Sequence, residues 1–250
     1  IIRQEGATKP RGSPLHGVPA QFTPFWGRQA ELRLINDLVL DPTSRLLSIV
    51  GPGGIGKTRL CIEAAREISA TSEFHDGIYF VPLSSAVTRT DLIAALATEI
   101  GVPLRKQHEI LPQVLDFLRN KRALLVLDDF EHLVAHGQVL TDILAAAPRV
   151  ELLVSTRQPL NLRAERHVRV AGLDYPDTEL SSDAGDTALA GFSSVQLFLQ
   201  TARAAMPEFA LTPDNQDDIR RICNLLQGMP LAIEIAGRWI RLADCATIAG

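Results

Sequence analysis

The sequence is poor in cysteine: Cys61, Cys223 and Cys245 are odd in number, far apart and without CxxC spacing. That excludes a disulfide framework or a zinc ribbon and fits a reducing compartment, so a cytoplasmic location is expected. A surplus of positive charge is also missing, since 25 basic residues against 29 acidic ones leave a net charge of −4. Such a chain has no global electrostatic reason to seek nucleic acid or an anionic membrane, and neither is expected as a direct partner. Long apolar runs are absent, and stretches such as ALLVL at 123–127 are far too short to span a bilayer. No charged-then-apolar leader opens the chain, and no internal repeat or long low-complexity tract is visible. What remains is ordinary globular composition, 46% hydrophobic and 22% charged over 250 residues, with apolar material for one large core or two modest ones. Because Ile1 rather than Met comes first, a piece of a longer polypeptide is expected.

The pattern along the chain is an alternation of strands and helices. Residues 1–22 carry prolines and glycines without apolar period and read as linker or tail. ELRLINDLVL at 31–40 has helical spacing, and RLLSIV at 45–50 is a continuous apolar run, as a strand buried on both faces shows. Further strands are expected around Ile78–Val81, in RALLVLDD, in VELLVSTR and in HVRVAGL. Helices are expected between them, one with Thr90 as N-cap and Gly101 as stop. Strands regularly separated by helices imply parallel pairing through right-handed crossovers, an α/β fold with helices on both sheet faces. After Leu173 the texture changes. Residues 174–192 are acidic and small, and no Lys or Arg occurs between Arg169 and Arg203, so a mobile linker is expected. Three helical patterns follow without a strand, predicting a small helical domain over 193–250 beside a nucleotide-binding domain over 23–173.

GPGGIGKTRL at 51–60 would disrupt a strand or a helix if placed inside one, yet it stands between RLLSIV and the helical KTRLCIEAAREIS. It fits GxxxxGK[ST] through Gly51, Gly56, Lys57 and Thr58, in the strand–loop–helix context that mechanism requires. Glycines let successive backbone N–H groups form a nest for phosphate oxygens, and the helix start aims its dipole at the same place. The candidate phosphate-binding residues are therefore Gly51, Gly53, Gly54, Ile55, Gly56, Lys57, Thr58 and Arg59. Lys57 would reach the β- and γ-phosphates, and Thr58 would offer its hydroxyl to Mg²⁺. LLVLDDF supplies the acids such a site needs at a strand end. Asp128 would hold Mg²⁺ through water, and Asp129 would orient or deprotonate an attacking water. LLVSTR ends in Ser155, Thr156 and Arg157. Arg157 reads either as a cation for the γ-phosphate or as a surface Arg at a loop, and the residues alone leave both open. His132 and His136 stand at i, i+4 but lack a third ligand, and Arg163, Arg166 and Arg169 read as a solvated face or partner contact.

These residues resemble the nucleotide-binding core of STAND-class P-loop NTPases, the group with NB-ARC domains. The likeness extends to the ATPases of large bacterial transcriptional regulators of the LuxR and SARP kinds. Besides the phosphate loop, it is carried by TPFWGR at 23–28, by STRQPLNLRAERHVRVAGLDYP, and by GMPLAIEIAG at 228–237, which looks like the family's GLPLA motif. It covers nearly everything from about Ala20 onward. The resemblance implies an ASCE-type sheet with the sensor strand between the strands of the two phosphate motifs. It also implies that Phe25, Trp26, Arg28, Pro230 and Leu231 line an adenine site. Gln29 stands where the family usually has Glu. Asp129 stands where many bacterial relatives have Asn, which favours hydrolysis.

Two functions then compete. One is a regulatory switch biased by ATP against ADP, with slow Mg²⁺-dependent hydrolysis, signalling through other domains of a larger chain (winged-helix, repeat sensor, DNA-binding or other effector) or through a nucleotide-dependent oligomer. The other is a P-loop kinase passing the γ-phosphate to a small molecule. The missing Arg-rich lid favours the switch.

Overall fold

A strand buried on both faces has no room for polar alternation, and the central strands of this protein are unbroken apolar runs. The computed structural model describes residues 12–105, 108–176 and 189–250. Its strands are β1 (Leu15–His16), β2 (Leu46–Val50), β3 (Ile78–Pro82), β4 (Ala123–Asp128), β5 (Val150–Thr156) and β6 (Glu165–Arg169). They form one six-stranded sheet in the order β1-β3-β4-β5-β2-β6, and every neighbouring pair is parallel. All residues of β2 and β4 are buried. The strand that carries Ser155 and is followed by Arg157 thus lies between the strands of the two phosphate motifs, as the resemblance implied.

Of the described residues, those up to Gln21, Ala30–Gly51 and Lys57–Arg169 form one compact unit, and those in Phe22–Gln29, Pro52–Gly56 and Val170–Gly250 form a second. The first holds the sheet with helices α1 (Gln29–Val39), α2 (Lys57–Ser69), α3 (Arg89–Ile100), α4 (Ile110–Leu118) and α5 (Gln138–Ala146), and a 3-10 segment over Phe130–His136. Its core packs Leu92, Leu96 and Val114 against Leu125, Leu127 and Leu152 of the sheet. The second holds α6 (Ser193–Ala205), α7 (Gln216–Leu225), α8 (Pro230–Trp239) and α9 (Cys245–Ala249) around Phe198, Ile219, Ile222 and Ile233. The chain therefore crosses between the units several times, whereas the sequence predicts one boundary near 173.

Other differences are local and have identifiable causes. The expected tail contains β1, an edge strand on β3. It is tied down where Ser13 N–H donates to Ser69 O at 2.7 Å and Ile78 N–H donates to Pro14 O at 2.7 Å. His16 stacks on Tyr79 with ring centroids 4.5 Å apart. Helix α3 is capped by Thr88, not Thr90. Thr88 Oγ1 accepts from Asp91 N–H at 3.2 Å while Asp91 Oδ2 accepts from Thr88 N–H at 2.8 Å. That reciprocal box needs a carboxylate three residues on, and Thr90 has Ile93 there. Gly101 ends the helix in the left-handed region, as predicted. Strand β6 comes two residues early because its register is set by β2, from Leu46↔Glu165 to Val50↔Arg169. Of the expected acidic linker, residues 177–188 lie outside the described residues. Asp174 is engaged: its Oδ2 accepts from Ser193 N–H at 3.1 Å at the start of α6.

In the second unit, Leu173 N–H donates to Gly228 O at 2.8 Å. Gly228 has φ +67°, and a Cβ there would stand 2.0 Å from Leu173 O, so only glycine allows this approach. Among the described residues no helix is long and apolar enough to cross a membrane.

At the amino ends of the strands, Arg45 donates to the carbonyls of Leu144 at 2.9 Å, Ala147 at 2.6 Å and Val150 at 3.0 Å, closing the end of α5. Beside it, Glu151 opens on a cavity of about 110 Å³ that Arg45, Glu73 and Arg122 also line. Burial pushes the Glu151 carboxyl up to about 7, against the pull of Arg122 and Arg45. A carboxyl raised on folding contributes stability that is present below its ordinary value and is lost as pH rises through the raised one. Glu151→Gln should therefore melt higher than the wild type at pH 8. The difference should vanish on acidification below about pH 4.5; melting curves across this range check it.

Candidate functional site

Three elements of the first unit converge on Asp128. The carboxylate closes β4 and is only 6% exposed, so it must find donors within the protein. Thr58, in the first turn of α2, donates from Oγ1 to Asp128 Oδ1 at 2.9 Å. Ser155, near the end of β5, donates from Oγ to the same oxygen at 2.6 Å. Ser155 Oγ in turn accepts from Asp129 N–H at 2.9 Å. One fully buried hydroxyl thus holds both acids of the strand end. Asp129 has φ 62° and ψ 49°, a left-handed turn that Asp tolerates better than most residues. It takes the chain abruptly from β4 into the 3-10 segment.

Burial pushes the Asp128 carboxyl above the usual aspartate range. The hydrogen bonds from Ser155 and Thr58 pull it back, the charge of Asp129 adds to the rise, and Lys57 opposes it. Lys57 opens α2 and is itself buried. A magnesium ion takes hard oxygen ligands, keeps several waters and is completed by substrate phosphates. The Thr58 hydroxyl and Asp128 carboxylate suit that demand. Among the described residues no group of three or more His, Cys, Asp or Glu could form an all-protein metal cage.

Arg157 lies just past β5 and pairs through Nε with Glu131 Oε1 at 2.7 Å. Glu131 is a partner that sequence reasoning missed. A signal existed. The register Leu127↔Val154 sets the ends of β4 and β5 side by side, so residues shortly beyond them can meet. Arg59 pairs with Glu63 at 2.8 Å along α2. Of the basic spot, Arg166 binds Asp41 at 3.0 Å and Thr43 at 2.9 Å.

The second unit assembles the other motifs. Arg28 is buried and donates to Ala171 O at 2.6 Å and Ile55 O at 3.2 Å. It thereby ties TPFWGR to the glycine loop and to the stretch after β6. Trp26 Nε1 donates to Gln200 Oε1 of α6, and Phe25 is half-buried. Leu231 N–H donates to Gly54 O at 3.2 Å, and a Cβ on Gly54 would stand 2.9 Å from the Leu231 Cβ. Pro230 begins α8, where its missing N–H costs nothing, and its Cγ lies 3.9 Å from where a Gly56 Cβ would be. Trp26, Arg28, Gly54, Ile55, Gly56, Pro230 and Leu231, far apart in sequence, are therefore linked within one unit.

The AAA domain family matches residues 41–162. A Mycobacterium tuberculosis protein named "Putative HTH-type transcriptional regulator" is 32% identical over 200 residues, 79% of this chain and 20% of its own length. An uncharacterized protein of the same organism is 30% identical over 222 residues, 88% of this chain and 52% of its own length. This chain thus spans about a fifth and about a half of the length of these two relatives. Among solved structures, Cdc6p of Pyrobaculum aerophilum superposes with a TM-score of 0.54 at 16% identity, over 92% of this chain and 63% of that one. That likeness supports the fold. The AAA match and the relatives named as putative regulators agree with the expected resemblance to P-loop ATPases of large regulators.

Ser155→Ala removes one donor from Asp128 and orphans the Asp129 N–H. We expect a loss of about 1–3 kcal/mol in chemical denaturation. The Asp128 midpoint, followed by carboxyl carbon NMR, should move further above its ordinary value.

Proposed function

We propose that this chain, similar to the AAA domain family over residues 41–162, is an ATP/ADP-binding switch module with slow, Mg²⁺-dependent hydrolysis. The observation that carries the reading is the 2.9 Å bond from the Thr58 hydroxyl to the Asp128 carboxylate. It joins the hydroxyl of the GKT loop to the acid of the neighbouring strand end, the two groups magnesium would use. The backbone of Gly51, Gly53, Gly54, Ile55 and Gly56 would cradle phosphate oxygens, with Lys57 adding full charge at the β- and γ-phosphates. Thr58 and Asp128 would hold the ion, whose charge would draw the phosphate oxygens into place. Asp129, fixed through its own N–H by Ser155, would orient or deprotonate the attacking water. Arg157 would recognise the γ-phosphate.

For adenine, the reading assigns Phe25, Trp26, Pro230 and Leu231. Arg28 spends hydrogen bonds on the carbonyls of Ile55 and Ala171, so its part is to set the loop. The relatives named as regulators support a place in a larger transcriptional or signalling protein with further domains. Three buried, free cysteines support a cytoplasmic site of action.

Lys57→Ala should weaken ATP binding at least about tenfold, since hydrogen bonds to charged groups contribute roughly 1.5–3 kcal/mol each. Calorimetry on the folded variant tests it; unchanged affinity would falsify the site. Asp129→Asn keeps size and most hydrogen bonding, so it should retain Mg·ATP binding and lose turnover. Phosphate release equal to wild type would remove Asp129 as the base.

A further inference from the structure

Glu131 has no role in the chemistry above, yet it holds Arg157, and the two ends of the pair are unlike. The Arg157 side chain is 61% exposed, whereas that of Glu131 is 11% exposed. Glu131 Oε2 is buried and has no hydrogen-bond partner. A carboxylate so enclosed leans on the Arg157 guanidinium that reaches it, unlike the usual surface pair between two solvated chains. Its frame is fixed. Phe130 and Leu133 are fully buried on the same 3-10 segment. Asp129 and Ser155, joined by their own 2.9 Å bond, each stand two residues upstream of a member of the pair. The guanidinium is a planar fork with five donors, and the contact is made through Nε. A grip on Nε restrains the plane, and the Nη1 and Nη2 edge has the donor geometry to match phosphate oxygens bidentately.

We propose that Glu131 is a positioning residue for nucleotide discrimination: it holds Arg157 by Nε and so presents the terminal nitrogens to the γ-phosphate of ATP. This rests on the nucleotide-binding reading. Glu131 lowers the ordering cost that an exposed Arg would otherwise meet when the nucleotide arrives, and this gain falls on ATP and not on ADP.

The test titrates a non-hydrolysable ATP analogue and ADP, each with magnesium, into wild type, Glu131→Gln, Glu131→Ala, Arg157→Ala and the Glu131→Ala/Arg157→Ala double variant. Melting curves confirm folding first. Glu131→Gln keeps an acceptor for Nε and similar shape, and it carries the test if Glu131→Ala does not fold. Glu131→Ala should weaken the analogue by about tenfold and leave ADP within about twofold, with a smaller loss for Glu131→Gln. In the Arg157→Ala background, replacing Glu131 should cost nothing further. Equal losses for both nucleotides, the same loss without Arg157, or no loss at all would overturn the proposal while leaving nucleotide binding in place. If the wild type binds neither ligand, the underlying reading fails and this one with it.

Discussion

A carboxylate taken out of water at the end of a central strand must be answered by donors, and the site of the first unit is organised around that demand. Asp128 receives one hydroxyl from the start of α2 and another from the end of β5. Both can arrive only because β5 lies between β4 and β2 in the sheet. Ser155 does double duty, because the oxygen that donates to Asp128 also accepts the Asp129 N–H. The acid is still incompletely stabilised, since burial holds its pKa above the ordinary value in spite of these partners. A divalent cation beside it would favour the ionised form and remove that penalty. On the proposed reading, the arrangement holds the group in place and leaves a cation to complete its stabilisation.

The two ends of the same sheet use the same residue types for different ends. At the amino ends, the Arg45 guanidinium is spent on three main-chain carbonyls and Glu151 is buried beside it. That is structural work, closing a helix and filling a small cavity. At the carboxyl ends, Asp128, Asp129, Ser155 and Arg157 stand where a parallel sheet exposes its loops, the usual place for ligands in open α/β folds. An Arg that ends on backbone is a clamp. An Arg that ends on one buried carboxylate and is otherwise solvated keeps the freedom to take a second anion.

How much of this was legible beforehand follows from the range of each interaction. The phosphate loop, the strand-end acids and the alternation of elements are local patterns, and the parallel sheet follows from them by general handedness and packing rules. The interleaved strand order came from family resemblance, because periodicity alone does not order strands. The pairing of Glu131 with Arg157 depends on the register of β4 against β5, a single offset that no local pattern encodes. Edge strand β1 is two residues long, too short to show a period, and is held by contacts to Ser69 and Tyr79 from elsewhere in the chain. The grouping of residues 22–29 and 52–56 with the helical unit was hidden for the same reason, since it rests on Arg28 reaching Ile55 and Leu231 reaching Gly54.

On the switch reading, discrimination has to be located in one kind of group. A ligand that meets both states equally shifts nothing, however tightly it binds. The loop amides, Lys57 and Thr58 would meet the β-phosphate that ATP and ADP share. Strand β5 offers little adjustment of its own, with Ser155 and Thr156 fully buried and β2 and β4 hydrogen-bonded along its two sides. Its last residue is followed by Arg157, whose side chain is mostly in solvent. The response to a third phosphate would then come from a side chain swinging or locking at the end of a buried, doubly paired strand. In such a design the restraint on that side chain sets the ATP preference as much as its charge does, which gives the carboxylate of Glu131 its weight.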